Sequence, residues 1–311
     1  MTDADLMTIH REVTFETPPI LLHAFEGFVD AGGGVRLALA QFFERPHELL
    51  ITFNSDELLD YRARRPRMTF SEDHFTSVDM PRIALHRLTD DAGRDLLLLS
   101  GPEPDFRWEG FLQAVESIIA RYRVEKLVGL SAIPWPAPHT RPVGVTTHGN
   151  STDLLGSQVA ALGDIEVPGH VGALLELRGA ERDMASIGIT AQVPHYLVQF
   201  EYPAAAIALL DALQQTVGLR FSSLELEPAA VRANQEVAGQ VAGNDEFAAV
   251  VHALESQYDS PGQIADAAIT ETGELGVVSG DFLAAQFEEF LAGLDPKDSD
   301  GDHEDPELPR A

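Results

Sequence analysis

The sequence predicts an α/β fold built from parallel βαβ units. Two observations carry this prediction. The first is that several short runs consist of apolar residues throughout, which is typical of strands in a sheet that is covered on both faces. The second is that segments with apolar residues at helical spacing lie between these runs. Because 44% of the 311 residues are hydrophobic, the chain can bury a core of the size that this fold needs.

The predicted strands begin with a run at 20–25, which leads through a glycine-broken segment into a helix at about 34–43. Further strands are predicted at 48–53, 82–88, 96–99, 126–131, 143–147 and 186–190. Apolar residues at helical spacing predict a helix over 111–122 and another that begins at Pro203, a residue favoured in the first helical turn.

The last third of the chain differs in composition from the rest. Residues 220–311 contain 20 acidic and 4 basic residues, and helices are predicted over 227–241, 246–258 and 281–291. We therefore expect three regions: an α/β domain over 1–219, a helical extension over 220–293 and a disordered acidic tail over 294–311, which lacks the apolar residues needed to offset the entropy of ordering.

Composition excludes several functional classes. Fifty acidic and 21 basic residues give a net charge of −29, which opposes binding to nucleic acid or to an anionic membrane. The absence of cysteine excludes disulfides and thiolate metal sites. We predict a cytoplasmic protein, because no signal peptide or apolar run of spanning length is visible, and we predict neither a cofactor nor a metal.

A basic segment interrupts this acidic chain. Four arginines lie between residues 62 and 67. They could bind an acidic partner or a phosphate, but the favoured interpretation is that they pair with the protein's own carboxylates on a surface hairpin.

Ligands of parallel sheets bind beyond the carboxyl ends of the strands, so candidate site residues were sought there. The first exit contains Gly27, Asp30, Gly32 and Gly33. These glycines permit close approach of a ligand, but the spacing does not form a dinucleotide fingerprint. The favoured alternative is a tight turn in which Asp30 caps the following helix.

The second exit presents Glu103, Arg107 and Trp108 after a proline-spaced loop. This set could bind a polar ligand by charge and stacking. In the alternative, Asp105 caps the next helix and Trp108 packs inward.

The third exit, 131–142, is rich in proline and predicts a stiff surface loop that carries His139 and Arg141. His148 and His195 follow two further predicted strands. None of these histidines has the spacing of a metal site.

Four of these motifs together resemble the proteasome assembly chaperone 2 family in its actinobacterial branch. They are Glu26-Gly27-Phe28-Val29-Asp30-Ala31-Gly32, Gly101-Pro102-Glu103-Pro104 with Arg107-Trp108, His139-Thr140-Arg141-Pro142, and Val193-Pro194-His195-Tyr196. The resemblance covers roughly residues 18 to 217. Where this sequence has Phe28-Val29, other members of the family commonly have a Trp-Asn pair.

The resemblance implies a three-layer αβα fold similar to nucleoside phosphorylases, with a mostly parallel sheet, a helical extension and self-association as a dimer or trimer. It also implies kinship with chaperones that bind proteasome subunits through a C-terminal tail containing tyrosine. This sequence ends in Glu307-Leu308-Pro309-Arg310-Ala311, so docking by that route is not expected.

Two functions remain open. The favoured one is a non-enzymatic, chaperone-like interaction protein. The alternative is a hydrolase or phosphorylase that uses a crevice lined by Asp30, Glu103, Arg107, His148 and His195, which requires those groups to converge on one reacting position.

Overall fold

The computed structural model of the protein describes residues 6–151, 155 and 166–260. All of these belong to one compact unit, Met1–Gly262. The strands in this part of the chain are β1 (Met7–Ile9), β2 (Ile20–Glu26), β3 (His47–Phe53), β4 (Arg67–Ser71), β5 (His74–Asp79), β6 (Ala84–Thr89), β7 (Asp95–Pro102), β8 (Lys126–Trp135), β9 (Val145–Gly149) and β10 (Ala185–Pro194).

The helices are α1 (Gly34–Phe43), α2 (Ser55–Leu58), α3 (Trp108–Tyr122), α4 (Val171–Ala180), α5 (Pro203–Val217), α6 (Glu227–Ala242) and α7 (Asp245–Tyr258). Their ends follow from local chemistry. Pro203 occupies the first turn of α5, and Gly218 ends that helix in the left-handed conformation. The side chain of Asn244 caps α7 by accepting hydrogen bonds from the backbone N–H groups of Glu246 and Phe247.

Eight strands form one sheet in the order β1-β3-β6-β7-β2-β8-β10-β9, and β4 and β5 form a separate two-stranded sheet. The predicted α/β class is confirmed, but parallel pairing is confined to β7, β2, β8 and β10. The pairs β1–β3, β3–β6, β6–β7 and β10–β9 are antiparallel. The expectation of a mostly parallel sheet therefore holds only for its centre.

Helices cover both faces of the large sheet, as the three-layer expectation requires. Alternate residues of the central strands enter different cores, because successive side chains of a strand point to opposite faces. Leu22 and Leu98 pack in one core with α1, α5 and α7. Leu21 and Leu97 pack in the other with α3 and α4.

One predicted segment differs from the observed structure. The proline-rich stretch after residue 131 is not wholly a loop, since β8 continues to Trp135 and pairs with β10 along its whole length. The predicted helices over 227–241 and 246–258 are confirmed as α6 and α7. The predicted helix over 281–291 and the predicted tail over 294–311 lie outside the described residues, and the predicted boundary between residues 219 and 220 stays a prediction.

Candidate functional site

The carboxyl ends of β7, β2, β8 and β10 meet at one rim of the sheet, because these four strands run in the same direction. The first two predicted exits, which follow β2 and β7, and the motif that begins at Val193 at the end of β10 lie at this rim. His148 does not. It lies on β9, which runs antiparallel to β10 and places His148 beside Gly188, near the start of that strand.

The first motif builds the turn between β2 and α1. Asp30 Oδ1 accepts hydrogen bonds from the backbone N–H groups of Val35, at 2.7 Å, and Arg36, at 3.3 Å, so Asp30 caps α1 as the alternative interpretation predicted. Burial raises the pKa of Asp30 to about 6, against the opposite effect of these two hydrogen bonds.

The glycines of this motif have backbone conformations that other residues rarely adopt. Gly27, Gly32 and Gly33 have φ angles of 141°, 64° and 61°. A Cβ atom on Gly32 would lie 2.9 Å from the Cβ of Tyr202, and the backbone of Gly32 also bonds to Val198 and Tyr202. The absence of a side chain at Gly32 therefore allows the turn to pack closely against the start of α5.

The side chains of the second motif contact other elements of the fold. Glu103 Oε1 accepts a hydrogen bond of 2.8 Å from the backbone N–H of Val171, at the start of α4, and burial raises the pKa of Glu103. Arg107 forms an ion pair with Glu57. The indole Nε1 of Trp108 donates to the carbonyl oxygen of Pro104, and its ring packs against the core.

The predicted capping role of Asp105 is wrong. Its carboxylate accepts a hydrogen bond from the backbone N–H of Asp60 and lies 3.5 Å from Arg64, so it stabilises the segment after α2. Helix α3 begins after Arg107, which is left-handed and has no side-chain cap. The partner of Asp105 is 45 residues away in sequence, which a local capping pattern cannot indicate.

The third and fourth motifs hold α7 against the α/β body. Arg141 forms ion pairs with Glu255 of α7 and with Asp259, which directly follows that helix. The hydroxyl of Tyr196 bonds to both the backbone nitrogen and Nδ1 of His139, and the ring of Tyr196 lies 5.2 Å from that of Phe247.

His195, in the same motif, is partly buried. Burial lowers the pKa of its imidazole, and its Nε2 has no hydrogen-bond partner among the described residues.

His148 belongs to a row of residues that the sequence motifs missed. His23, Gly129, Gly188 and His148 are in register across β2, β8, β10 and β9. A Cβ on Gly129 would lie 2.6 Å from the ring of His23, and one on Gly188 would lie 2.2 Å from the ring of His148. Each glycine therefore makes room for a neighbouring imidazole.

Helix α4 lies above this row. His148 Nε2 is 3.1 Å from the carboxylate of Glu176 on α4, and that hydrogen bond raises the pKa of His148. The Nδ1 of His170 accepts a hydrogen bond from the backbone N–H of Ala173 and so caps the helix. Burial, with a smaller contribution from the neighbouring His170, lowers the pKa of His23 to about 3. Only the three-dimensional register brings these histidines together.

The structure does not bring the groups of the postulated catalytic crevice to one position. Asp30 caps α1, which packs on one face of the sheet. Glu103 binds the start of α4, which packs on the other face. Arg107 forms an ion pair with Glu57, and His148 is paired with a different glutamate, Glu176. General acid–base catalysis needs groups within hydrogen-bond reach of the same atoms, and this arrangement does not favour it.

No group of three or more histidine and acidic side chains in the described part of the chain has the arrangement of a metal site. No described helix is both long enough and apolar enough to cross a membrane.

Comparisons with known proteins agree with this architecture. The model of the PAC2 family matches residues 24–241. A solved Mycobacterium tuberculosis protein of unknown function is 41% identical, with a TM-score of 0.78, and the match covers 82% of this chain and 91% of that one. A Corynebacterium glutamicum protein of unknown function is 37% identical, also with a TM-score of 0.78, over 82% of this chain and 97% of that one.

A third structure, described as a Mycobacterium tuberculosis proteasome-assembly chaperone homologue, has 24% identity and a TM-score of 0.67. The match covers 75% of this chain and 99% of that one, and at this identity it shows a common fold. Among curated proteins, none matches the sequence.

Proposed function

The chain belongs to the PAC2 family, and from that premise we propose that it is a non-catalytic, self-associating protein that binds proteasome subunits in a chaperone-like role. The observation that carries the proposal is an apolar surface on the hairpin formed by β4 and β5. We call this surface the hairpin face and define it by Met68, Phe70, Phe75 and Val78.

The hairpin face follows from the pairing of the two strands. Met68 is opposite Val78, and Phe70 is opposite Phe75. The rings of Phe70 and Phe75 meet edge to face with their centroids 5.1 Å apart. All four side chains are exposed, by between 49% for Val78 and 63% for Phe75. The hairpin is therefore amphipathic, and its apolar side faces solvent in the single chain.

An amphipathic hairpin of this kind needs a covering surface. Two strands alone are marginally stable in water, and every residue of β4 and β5 is exposed. Contiguous exposed apolar patches on soluble proteins are typical of interaction sites. Burial of these four side chains against another protein would stabilise both the hairpin and the complex.

Charge favours a second copy of this chain as the covering surface. Arg64 is turned towards the body, where it contacts the backbone carbonyl of Glu103 and the carboxylate of Asp105. Arg62, Arg65 and Arg67 are exposed, and none forms an ion pair with another described residue. The predicted pairing of these arginines with the protein's own carboxylates is therefore observed for one of the four, Arg64. Since the whole chain carries a net charge of −29, a second copy offers carboxylates to the other three.

The proposed partner beyond the chain itself rests on the family. The PAC2 family model covers residues 24–241, and one solved relative is described as a proteasome-assembly chaperone homologue. The site geometry supports a binding role rather than catalysis, because the motif residues hold helices and turns in place instead of converging on one position.

The first experiment measures self-association by sedimentation equilibrium. We expect the wild type to sediment as a dimer or trimer and the double variant Phe70→Ser/Phe75→Ser to sediment as a monomer. The matched control, Thr69→Ala/Ser77→Ala, changes a directly opposed pair of the same hairpin outside the hairpin face and should keep the wild-type mass. A monomeric wild type, or an unchanged mass of the double variant, contradicts the assignment of the hairpin face.

The second experiment tests the partner. Purified proteasome α- and β-subunits of the same organism are titrated against the labelled wild-type protein and followed by fluorescence anisotropy. Saturable binding to free subunits that is weaker for the assembled proteasome supports the chaperone-like role. No binding to either subunit refutes the proteasome as the partner, and it leaves the sedimentation result as a separate test of self-association.

A further inference from the structure

A cleft of about 590 Å³ lies between α5, α6 and the segment from His139 to Val145. Its volume is within the range of small-molecule sites. Val143, Val145 and Ile207 supply apolar walls. The cleft is separate from the hairpin face, so its assignment does not depend on the proposed function.

Two nearly buried side chains with unused hydrogen-bonding groups line the cleft. Tyr202 is 2% exposed and His139 is 5% exposed. The hydroxyl of Tyr202 forms no hydrogen bond with another described residue, and His139 Nε2 is buried without a partner in the same part of the chain. The Tyr202 hydroxyl oxygen is not among the buried atoms without a partner, so it is accessible although its ring is buried. Buried polar groups in folded proteins are nearly always paired, so His139 Nε2 indicates a missing partner.

The surroundings of His139 identify the proton that it offers. The Tyr196 hydroxyl oxygen accepts a hydrogen bond from the backbone N–H of His139 and lies 2.9 Å from Nδ1. We assign Nδ1 as the acceptor of the single hydroxyl proton, because no other described residue accepts it. Burial lowers the pKa of His139 and so favours the neutral ring, which carries its proton on Nε2 when Nδ1 accepts. The cleft therefore contains two donors, His139 Nε2–H and the Tyr202 hydroxyl.

The cleft is also lined by a buried acceptor. Asn234 on α6 lines the cleft, and its Oδ1 is buried without a partner among the described residues. Two donors and one acceptor, with apolar walls between them, fit the hydrogen-bonding pattern of a carboxamide, whose carbonyl accepts while its N–H₂ donates.

Charge determines which ligands the cleft excludes. Arg141, at its edge, is neutralised by Asp259 and Glu255. Asp211 also lines the cleft and forms no ion pair with another described residue. The excess of negative charge disfavours carboxylates and phosphates.

We propose that this cleft binds a small, uncharged molecule with an apolar body and an amide group, which accepts from His139 and Tyr202 and donates to Asn234. Ligand-observed NMR titration of the full chain with benzamide and benzoate tests the assignment, because the two probes have the same size and shape and differ in charge. We expect saturable benzamide binding and at least tenfold weaker benzoate binding. Equal binding of the two probes, or no saturable benzamide binding, overturns the proposal.

Variants locate the binding. Ala208→Phe fills the cleft from α5 and should abolish benzamide binding, whereas Gln214→Ala, on the same helix but outside the cleft, should not change it. Tyr202→Phe keeps the packed ring and should weaken benzamide binding about tenfold. Asp211→Asn should reduce the preference for benzamide over benzoate. Wild-type affinity in Ala208→Phe, whose folding is verified by circular dichroism, places the binding elsewhere and refutes the assignment.

Discussion

Acidification should destabilise this protein through His23, a histidine buried in the centre of the sheet. His23 is 5% exposed, and its ring occupies the space above Gly129. Burial, with a further contribution from His170, lowers its pKa from 6.5 to about 3. The folded protein therefore keeps His23 neutral at a pH where the unfolded chain binds a proton.

The sign and the size of the effect follow from this difference. Above pH 6.5 neither state is protonated at His23, so the contribution is absent. Between pH 6.5 and about 3 the unfolded state binds the additional proton, and the free energy of unfolding falls as the pH falls. At pH 5.0, which is 1.5 units below the unfolded pKa, the loss is about 2 kcal/mol.

Urea unfolding monitored by circular dichroism at pH 7.5 and pH 5.0 measures this loss. We expect the wild type to lose about 2 kcal/mol more than His23→Gln between these two pH values, because glutamine does not titrate. His10→Gln, which removes an exposed histidine, should retain the wild-type pH dependence. An equal loss for the wild type and His23→Gln would refute the reasoning.

Two further substitutions test the packing and the polar contacts of the framework, each by the same unfolding measurement at pH 7.5. Gly32→Ala should cost about 3 kcal/mol, because the new Cβ lies 2.9 Å from Tyr202, whereas Gly93→Ala, also at positive φ but in open space, should cost about 1 kcal/mol; equal costs would exclude a steric effect. Asp90→Ala should cost about 3 kcal/mol, because its buried carboxylate accepts several hydrogen bonds. Asp91→Ala, which removes a surface ion pair, should cost less than about 1 kcal/mol. A smaller cost for Asp90→Ala than for Asp91→Ala would contradict this account.

The sequence predicted the elements of the sheet better than their directions. The runs at 20–25 and 48–53 are both apolar, yet β2 lies between two parallel neighbours and β3 between two antiparallel ones. Apolar content reports that a strand is covered on its faces. It does not report the direction of the strands alongside.

The extension of β8 through Pro134 has a physical reason that lies in a neighbouring strand. Pairing of β8 with β2 ends at Leu130, while its pairing with β10 continues to Trp135. Beyond Leu130 one edge of β8 is free of β2, so a residue without an N–H group is tolerated there. Sequence alone shows the prolines and predicts a loop.

The candidate site could be predicted in part. Local chemistry was sufficient for Asp30, whose hydrogen-bond partners are five and six residues away. It was not sufficient for Arg141, which pairs with Asp259 across 118 residues, or for His23 and His148, which only the sheet register relates. The distant partners show that the sequence reveals the chemical type of these polar side chains, whereas their roles depend on tertiary contacts.

The central claim, that a second copy covers the hairpin face, is tested most directly by amide hydrogen exchange of residues 67–79 in the wild-type protein at two concentrations. At micromolar concentrations above the dissociation constant of the complex, we expect slow exchange in β4 and β5, and on dilution to nanomolar concentrations we expect that protection to be lost. Exchange in this segment that is rapid at both concentrations, or equally slow at both, would contradict the account.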